Sequence, residues 1–245
     1  MRTAGIVVAV VLGATAAAPA QDPVPEVRQV VTFDLQPGAL GRVINLYEQS
    51  LLPVYQDLAP LLRFRAYREA ESPESLDLVL LSSYRGMAGM DAANDLLGKP
   101  QPTGVNVGLL YGQIDQMALG HHDTFVEMVD RLGDPPSDEA GTDEQLTVFE
   151  YLRVAPGGHA FFEQLLETRA RPYEKEHRLY VWSETGRVLV GDEWDYVRFF
   201  GLRSLAMWHD YVRRMRDADF QAALAPVILA RKTVILRREP RLSVR

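Results

Sequence analysis

Two stretches of the chain share one pattern of apolar and polar positions. "VRQVVTFDL" and "LTVFEYLRV" each have the β-branched and aromatic content of a strand, and each is ended by a Pro-Gly pair, Pro37-Gly38 and Pro156-Gly157. The period then changes. Val43, Leu46, Tyr47, Leu51 and Val54 in the first stretch, and Phe162, Leu165, Leu166, Ala170 and Tyr173 in the second, recur at spacings of three and four, which makes one apolar stripe on a helix. Laid over each other without a gap, the two stretches match Pro37 with Pro156, Gly38 with Gly157 and Pro53 with Pro172, always 119 positions apart.

Beyond these stretches the two halves keep the same order of elements. In the first half "LLRFRAYRE" alternates Leu62, Phe64 and Ala66 with Arg63 and Arg65, "ESPES" marks a turn, and "LDLVLLSSY" is a more apolar strand. A second helical region starts near Gly86 with "GMAGMDAANDLL" and resumes in "NVGLLYGQIDQMAL"; "DTFVEMVDRL" closes the half as a strand. The second half repeats the series with "RLYVWSE", "EWDYVRFF", "LRSLAMWHDYVRRM" plus "DADFQAALAPVIL", and "KTVILRRE". The run "GRVLV" is extra, so either the middle hairpin is long and bulged at Gly191-Asp192 or the sheet carries another piece.

Strand, helix, strand, strand, helix, strand, taken twice, predicts an α+β fold made of two tandem ferredoxin-like βαββαβ repeats. Such a sheet carries helices on one face only, so its bare face needs a cover, and a second copy supplies it, the two sheets stacking or curling into a shared, pseudo-dimeric α/β barrel. The expected organisation is a first repeat over 27–132, an acidic turn-rich linker over 133–145 and a second repeat over 146–240.

The beginning of the chain breaks the pattern. Arg2, the apolar run "AGIVVAVVLGATAAA" and Ala18-Pro19-Ala20 read as an export signal over 1–20, cut before Gln21 and succeeded by a Pro-rich leader over 21–26. A retained membrane anchor is the competing reading, but the run is short for a span and diluted by Gly13, Thr15 and Pro19. The protein is therefore expected to be periplasmic or secreted, with no stable membrane insertion after cleavage. No cysteine is present, which excludes disulfides, thiolate metal sites, thiol nucleophiles and a lipid-acylated thiol. The formal charge of −7 becomes −8 without the first twenty residues, because Arg2 is the one charged residue there; nucleic acid is not an expected partner. The late basic cluster "ARKTVILRREPRLSVR" is read as discouraging edge pairing by a terminal strand, ahead of the competing reading of a patch for a membrane or polyanion.

The stretch "FFGLRSLAMWHDYVRRMRDADFQAAL" at 199–224, with Ser204, Trp208, Asp219 and Phe220 in matching places, resembles the dimeric α/β-barrel superfamily, in particular a tandem form of the antibiotic biosynthesis monooxygenase-like and NIPSNAP-like domains. That resemblance spans roughly residues 27–240. It implies cofactor-free oxygenases acting on polyphenolic rings, haem-degrading or haem peroxidase-like enzymes, isomerases, or proteins without activity. In the haem-degrading branch a Trp ends the third strand and a His sits further along on the second helix; Phe199 and Leu224 stand in those places here, so that activity is not carried over.

Candidate chemistry concentrates in the second half. His209 beside Trp208 suits a base for an acidic phenol, against the reading of a surface helix histidine beside Asp210 or Arg213. His159 at a helix start reads more simply as a capping-region polar residue, and His121-His122-Asp123 as a solvated strand entrance, since neighbours on a strand point to opposite faces. Trp182, Trp194, Tyr196, Phe199, Phe200 and Trp208 crowd the second half, and Trp194, Tyr196, Arg198 and Phe200 are expected on one strand face. No Gly-rich phosphate loop, Gly-x-Ser-x-Gly elbow or paired-His metal motif occurs.

These readings converge on an exported barrel that binds a small aromatic molecule mainly in its second half, through Tyr151, Trp194 and Trp208, with His209 as the base of an oxygenase or isomerase that needs no bound cofactor and no metal. The rivals are a non-catalytic binding or assembly module and, more weakly, a haem protein with His209 or His159 as axial ligand. Further self-association is left open.

Overall fold

The computed structural model describes residues 24–71, 78–136, 144–191 and 193–244. The expected signal, most of the leader, the turn after Glu71, residues 137–143 of the linker and Asp192 lie outside them.

The first half runs β1 (Glu26–Leu35), α1 (Leu40–Leu46), a π-helical turn (Tyr47–Leu51), α2 (Leu52–Gln56), β2 (Leu61–Glu71), β3 (Leu78–Arg85), α3 (Gly86–Leu97), α4 (Val107–Asp115) and β4 (Ala118–Met128). The second runs β5 (Leu146–Val154), α5 (His159–Leu165), a π-helical turn (Leu166–Ala170), α6 (Arg171–Glu176), β6 (Trp182–Val190), β7 (Tyr196–Leu202), α7 (Leu205–Asp217), α8 (Gln221–Leu224) and β8 (Ile228–Val244). All strand pairs are antiparallel and close a barrel in the order β1-β3-β2-β8-β5-β7-β6-β4.

The shared Pro-Gly pairs have a common cause. Gly38 and Gly157 sit at φ 77° and 78°, and Ala39 and Gly158 donate backbone hydrogen bonds of 2.9 and 2.8 Å to Gln36 and Ala155. That is a type II turn, with proline at its second position and glycine at the third, where φ must be positive. The shared third proline also has a structural signature. Leu52 and Arg171, one residue before Pro53 and Pro172, donate their backbone N–H groups to Tyr47 and Leu166, five residues back. The widened turn accommodates a residue that lacks an N–H and whose ring would strike the carbonyl four residues earlier.

Three apolar clusters form the core. One, including Val30, Tyr67, Val79, Val126, Phe149, Trp182, Phe199 and Leu236, draws on all eight strands and on no helix, so it fills the barrel interior. The second packs α1 to α4 on the outer face of β1 to β3, and the third packs α5 to α8 on the outer face of β5 and β7. Alternation assigns the faces: Tyr196, Arg198, Phe200 and Leu202 of β7 look outward to the helices, Val197 and Phe199 inward.

Of the two readings of "GRVLV", the long middle hairpin is the one that holds: residues 182–190 form the single strand β6, whose pairing with β4 shifts register between Phe125 and Val126. Two sequence expectations change. Trp194 precedes β7 and packs with the interior cluster, not on the face of Tyr196 and Arg198. The basic residues of β8 do not guard an edge, for β8 is hydrogen-bonded to β5 along its first part and to β2 along its last, which closes the barrel.

Charged groups tie the halves together as well. Inside the barrel Arg28 of β1 is fully enclosed, forks onto Glu184 of β6 at 2.6 and 2.8 Å, and bonds Glu26 at 2.6 Å. Burial pulls its pKa down, but the two carboxylates outweigh that and raise it. Outside, buried Glu163 of α5 accepts from Arg187 of β6, from Arg131 after β4 and from the Tyr196 hydroxyl.

Two measurements test this packing. The Glu163 carboxyl is lowered from 4.5 to about 2, chiefly by Arg187. Its contribution is therefore complete above the unfolded value of 4.5 and is lost as pH falls toward about 2. Discounted for the half-exposed arginines, it is about 2 kcal/mol. Acid unfolding monitored by circular dichroism should be shallower across that window in Glu163→Gln than in wild type. At Gly186 an added Cβ would lie 2.4 Å from Val126 and 2.7 Å from the Glu127 carbonyl oxygen. Gly186→Ala should cost about 1–3 kcal/mol in denaturant melts.

Candidate functional site

Each half leaves space between its helices and the outer face of its sheet, and the sequence fills that space differently. In the first half a pocket of about 270 Å³ remains. Its walls are aromatic: Tyr47 from the π-helical turn, Tyr55 from α2, Phe64 from β2, Tyr84 from β3 and Tyr111 from α4. Phe64 meets Tyr55 edge to face at 4.9 Å between centroids and stacks on Tyr47 at 6.1 Å, so the three rings form one continuous wall. The Tyr55 and Tyr111 hydroxyls share a hydrogen bond of 2.6 Å. Burial raises the pKa of Tyr47, Tyr55 and Tyr111, and lifts Tyr84 to about 12, so these phenols stay protonated at neutral pH.

The opposite end of the pocket is polar and open. Gln29 donates its amide to Asp123 Oδ1 at 2.8 Å. The His121 ring lies between two carboxylates, with Nε2 3.7 Å from Asp123 and Nδ1 3.9 Å from Asp115, and rests 5.8 Å from the Phe33 ring. His121 is 47% exposed, so it stands at the mouth and not in the core. Alternation along β4 turns His121 and Asp123 to the helix side and His122 to the other face, which keeps the two imidazoles apart. His121 is thus more than a solvated strand residue, because it borders a pocket. Among the described residues, no group of three or more His, Asp or Glu side chains converges to hold a metal ion.

In the second half the corresponding space is largely occupied by the protein's own side chains. Arg198 reaches both oxygens of fully buried Glu174 at 3.0 Å and the Tyr211 hydroxyl at 3.2 Å. Phe200, Trp208 and Tyr211 pack together above β7, with the last two stacked at 5.1 Å. The 119-residue offset makes Glu174 the counterpart of Tyr55. Burial raises the Glu174 pKa, while Arg198 and Tyr211 act against it. A cleft of about 340 Å³ remains beside α7.

The four residues singled out from the sequence do not form one pocket. Tyr151 and Trp194 sit 6.1 Å apart and belong to the interior barrel cluster, on the far side of the sheet from Trp208. Trp208 borders the second-half cleft. His209, the next residue on α7, is exposed and lines neither space. Consecutive helical residues point about 100° apart, so only one of this pair faces the sheet. His159 begins α5 and tilts against Tyr196 at 5.8 Å, and it too lines neither space. Sequence reasoning misses the first-half pocket because its tyrosines are scattered over 47, 55, 84 and 111, with no local spacing to mark them. The signal that could have found it is the trio of Asp115, His121 and Asp123 close in sequence to Tyr111.

No family model and no curated protein matches the chain. Solved structures do. A provisionally named monooxygenase from Lactobacillus acidophilus aligns with TM-score 0.64 and 8% identity over 89% of this chain and 95% of its own. One from Fusobacterium nucleatum aligns with TM-score 0.60 and 11% identity, covering 87% and 92%. A chlorite dismutase variant from Candidatus Nitrospira defluvii gives TM-score 0.53 and 10% identity, covering 88% and 92%. At these identities the likeness is one of fold: the dimeric α+β barrel, in a single chain.

The buried pair of the second half yields a stability test. Arg198→Leu leaves Glu174 enclosed without its cation and should cost about 3–5 kcal/mol. The double variant Arg198→Leu, Glu174→Leu should recover part of that loss in chemical denaturation, because it removes the hydrogen-bonded pair while Glu150, 3.8 Å from Arg198, keeps its charge.

Proposed function

We infer that this protein binds a small, neutral, ring-bearing molecule in the first-half pocket, between the tyrosine walls and the His121 mouth. One observation carries the reading: a partly enclosed space of about 270 Å³ is walled by Tyr47, Tyr55, Phe64, Tyr84 and Tyr111 and has hydrogen-bonding groups at both ends. Aromatic walls suit a planar ring. The protonated Tyr55–Tyr111 pair can anchor a carbonyl or hydroxyl oxygen at depth. Asp115 and Asp123 at the mouth disfavour an anion.

A ring hydroxyl directed toward the mouth would meet the His121 imidazole, whose orientation Asp123 and Asp115 restrain. Proton transfer from that hydroxyl to the imidazole would leave an electron-rich ring anion, the form that isomerises or reacts with dioxygen. The chemistry so described uses no bound cofactor. His159 and His209, the axial ligands that the sequence offers, line neither of the two spaces described. The monooxygenase names of two structural neighbours accord with this reading but carry no residue across. We further propose that the two halves are copies of one ancestral unit, on the constant offset of their turns and π-helical turns, and that residues 1–20 direct export, with self-association open.

All three tryptophans lie in the second half and none lines this pocket, so calorimetry or ligand-observed NMR is the appropriate readout. A panel of phenols and quinones should include a compound that saturates. Tyr55→Phe should weaken it by roughly three- to tenfold through loss of one hydrogen bond. His121→Gln should retain binding while abolishing any turnover. If nothing in the panel saturates, the reading fails; saturation with no turnover in wild type identifies a binding module instead of an enzyme.

A further inference from the structure

The two halves place opposite chemistry at one position of the sheet. In the first half Val31 of β1 pairs with Leu80 of β3, and both line the tyrosine pocket. At the same register in the second half, Glu150 of β5 pairs with Arg198 of β7, and Glu150 lines the cleft beside α7 together with Trp208, Tyr211, Met215, Arg231 and Thr233.

Glu150 is 1% exposed, and among the described residues its Oε1 has no hydrogen-bond partner. The nearest cations do not satisfy it. Arg198 is committed to Glu174 and Tyr211 and stays 3.8 Å from Oε2. Arg231 approaches Oε1 with Nε at 3.4 Å, but its side chain is 44% exposed and leaves for solvent at little cost. A buried carboxylate held so loosely is unfavourable unless a donor completes it. Trp208 and Tyr211, which line the same cleft, offer an aromatic wall, to which cations are drawn.

We propose that the second-half cleft is a separate binding site for a small organic cation, an ammonium or amidinium on a compact apolar or aromatic body, with Glu150 as its counter-ion and Trp208 as its wall. The bound cation displaces Arg231 from Glu150 Oε1, and Arg231 turns outward. The protein then has two sites of different selectivity, a neutral-ring pocket in one half and a cation cleft in the other. This proposal does not depend on the function assigned to the first-half pocket.

The test is calorimetric titration of the full chain with benzylamine, benzyl alcohol and benzoate, alongside Glu150→Gln, Arg231→Ala and Asp123→Asn. Benzylamine should saturate, with benzyl alcohol and benzoate weaker by about tenfold or more. Glu150→Gln should weaken benzylamine by about tenfold or more, the loss of a charge-assisted bond. Arg231→Ala, a change at a half-exposed strand residue, should tighten it, and this decides the matter even if Glu150→Gln folds poorly. The proposal is overturned if benzylamine does not saturate, if benzoate binds better, if Arg231→Ala weakens binding, or if the loss accompanies Asp123→Asn instead of Glu150→Gln.

Discussion

The structure depends on one constraint: a four-stranded sheet with helices on a single face leaves its other face wet, and this chain removes that face from water by turning two such sheets toward each other. The interior cluster takes residues from all eight strands, and β2–β8 and β4–β6 pairing seals the edges between the halves. Closure satisfies the backbone groups an open sheet would expose and makes each half a structural requirement of the other. With no cysteine available, packing and the cross-half bonds of Arg28 with Glu184 and of Arg131 with Glu163 are what hold that arrangement.

Closing the barrel inward also decides where chemistry can occur. The interior is filled by side chains such as Tyr67, Phe149, Trp182 and Phe199, so space for a ligand survives on the outer face, under the helices. There the halves diverge while their backbones agree. Tyr55 in the first half and Glu174 in the second occupy the same place on a helix with the same π-helical turn, yet one joins a phenol pair and the other a buried ion network. The apolar Val31–Leu80 pair and the charged Glu150–Arg198 pair repeat that contrast on the sheet.

Features that depend on neighbours in sequence are legible without coordinates. The Pro-Gly turns, the apolar stripes of α1 and α5 and the order of elements along the chain arise from local backbone rules, and each lies where its spacing predicts. The site is legible only in fragments. Its sequence context makes His121 a solvated strand residue, since nothing local shows that β4 carries it beneath α4 and beside Asp115. The tryptophans draw attention to the second half, where they pack the interior and roof a cleft on opposite sides of one sheet.

By itself, then, the sequence determined the elements, their order and the need of two half-covered sheets for each other, because hydrophobic period, turn stereochemistry and proline act over a few residues. Tertiary structure alone decided which aromatics share a cavity, that β8 is enclosed instead of forming an edge, and that Glu150 is buried with an oxygen to spare. Those outcomes turn on which face of a strand meets which helix across long separations in the chain, a relation that folding creates and no local spacing encodes.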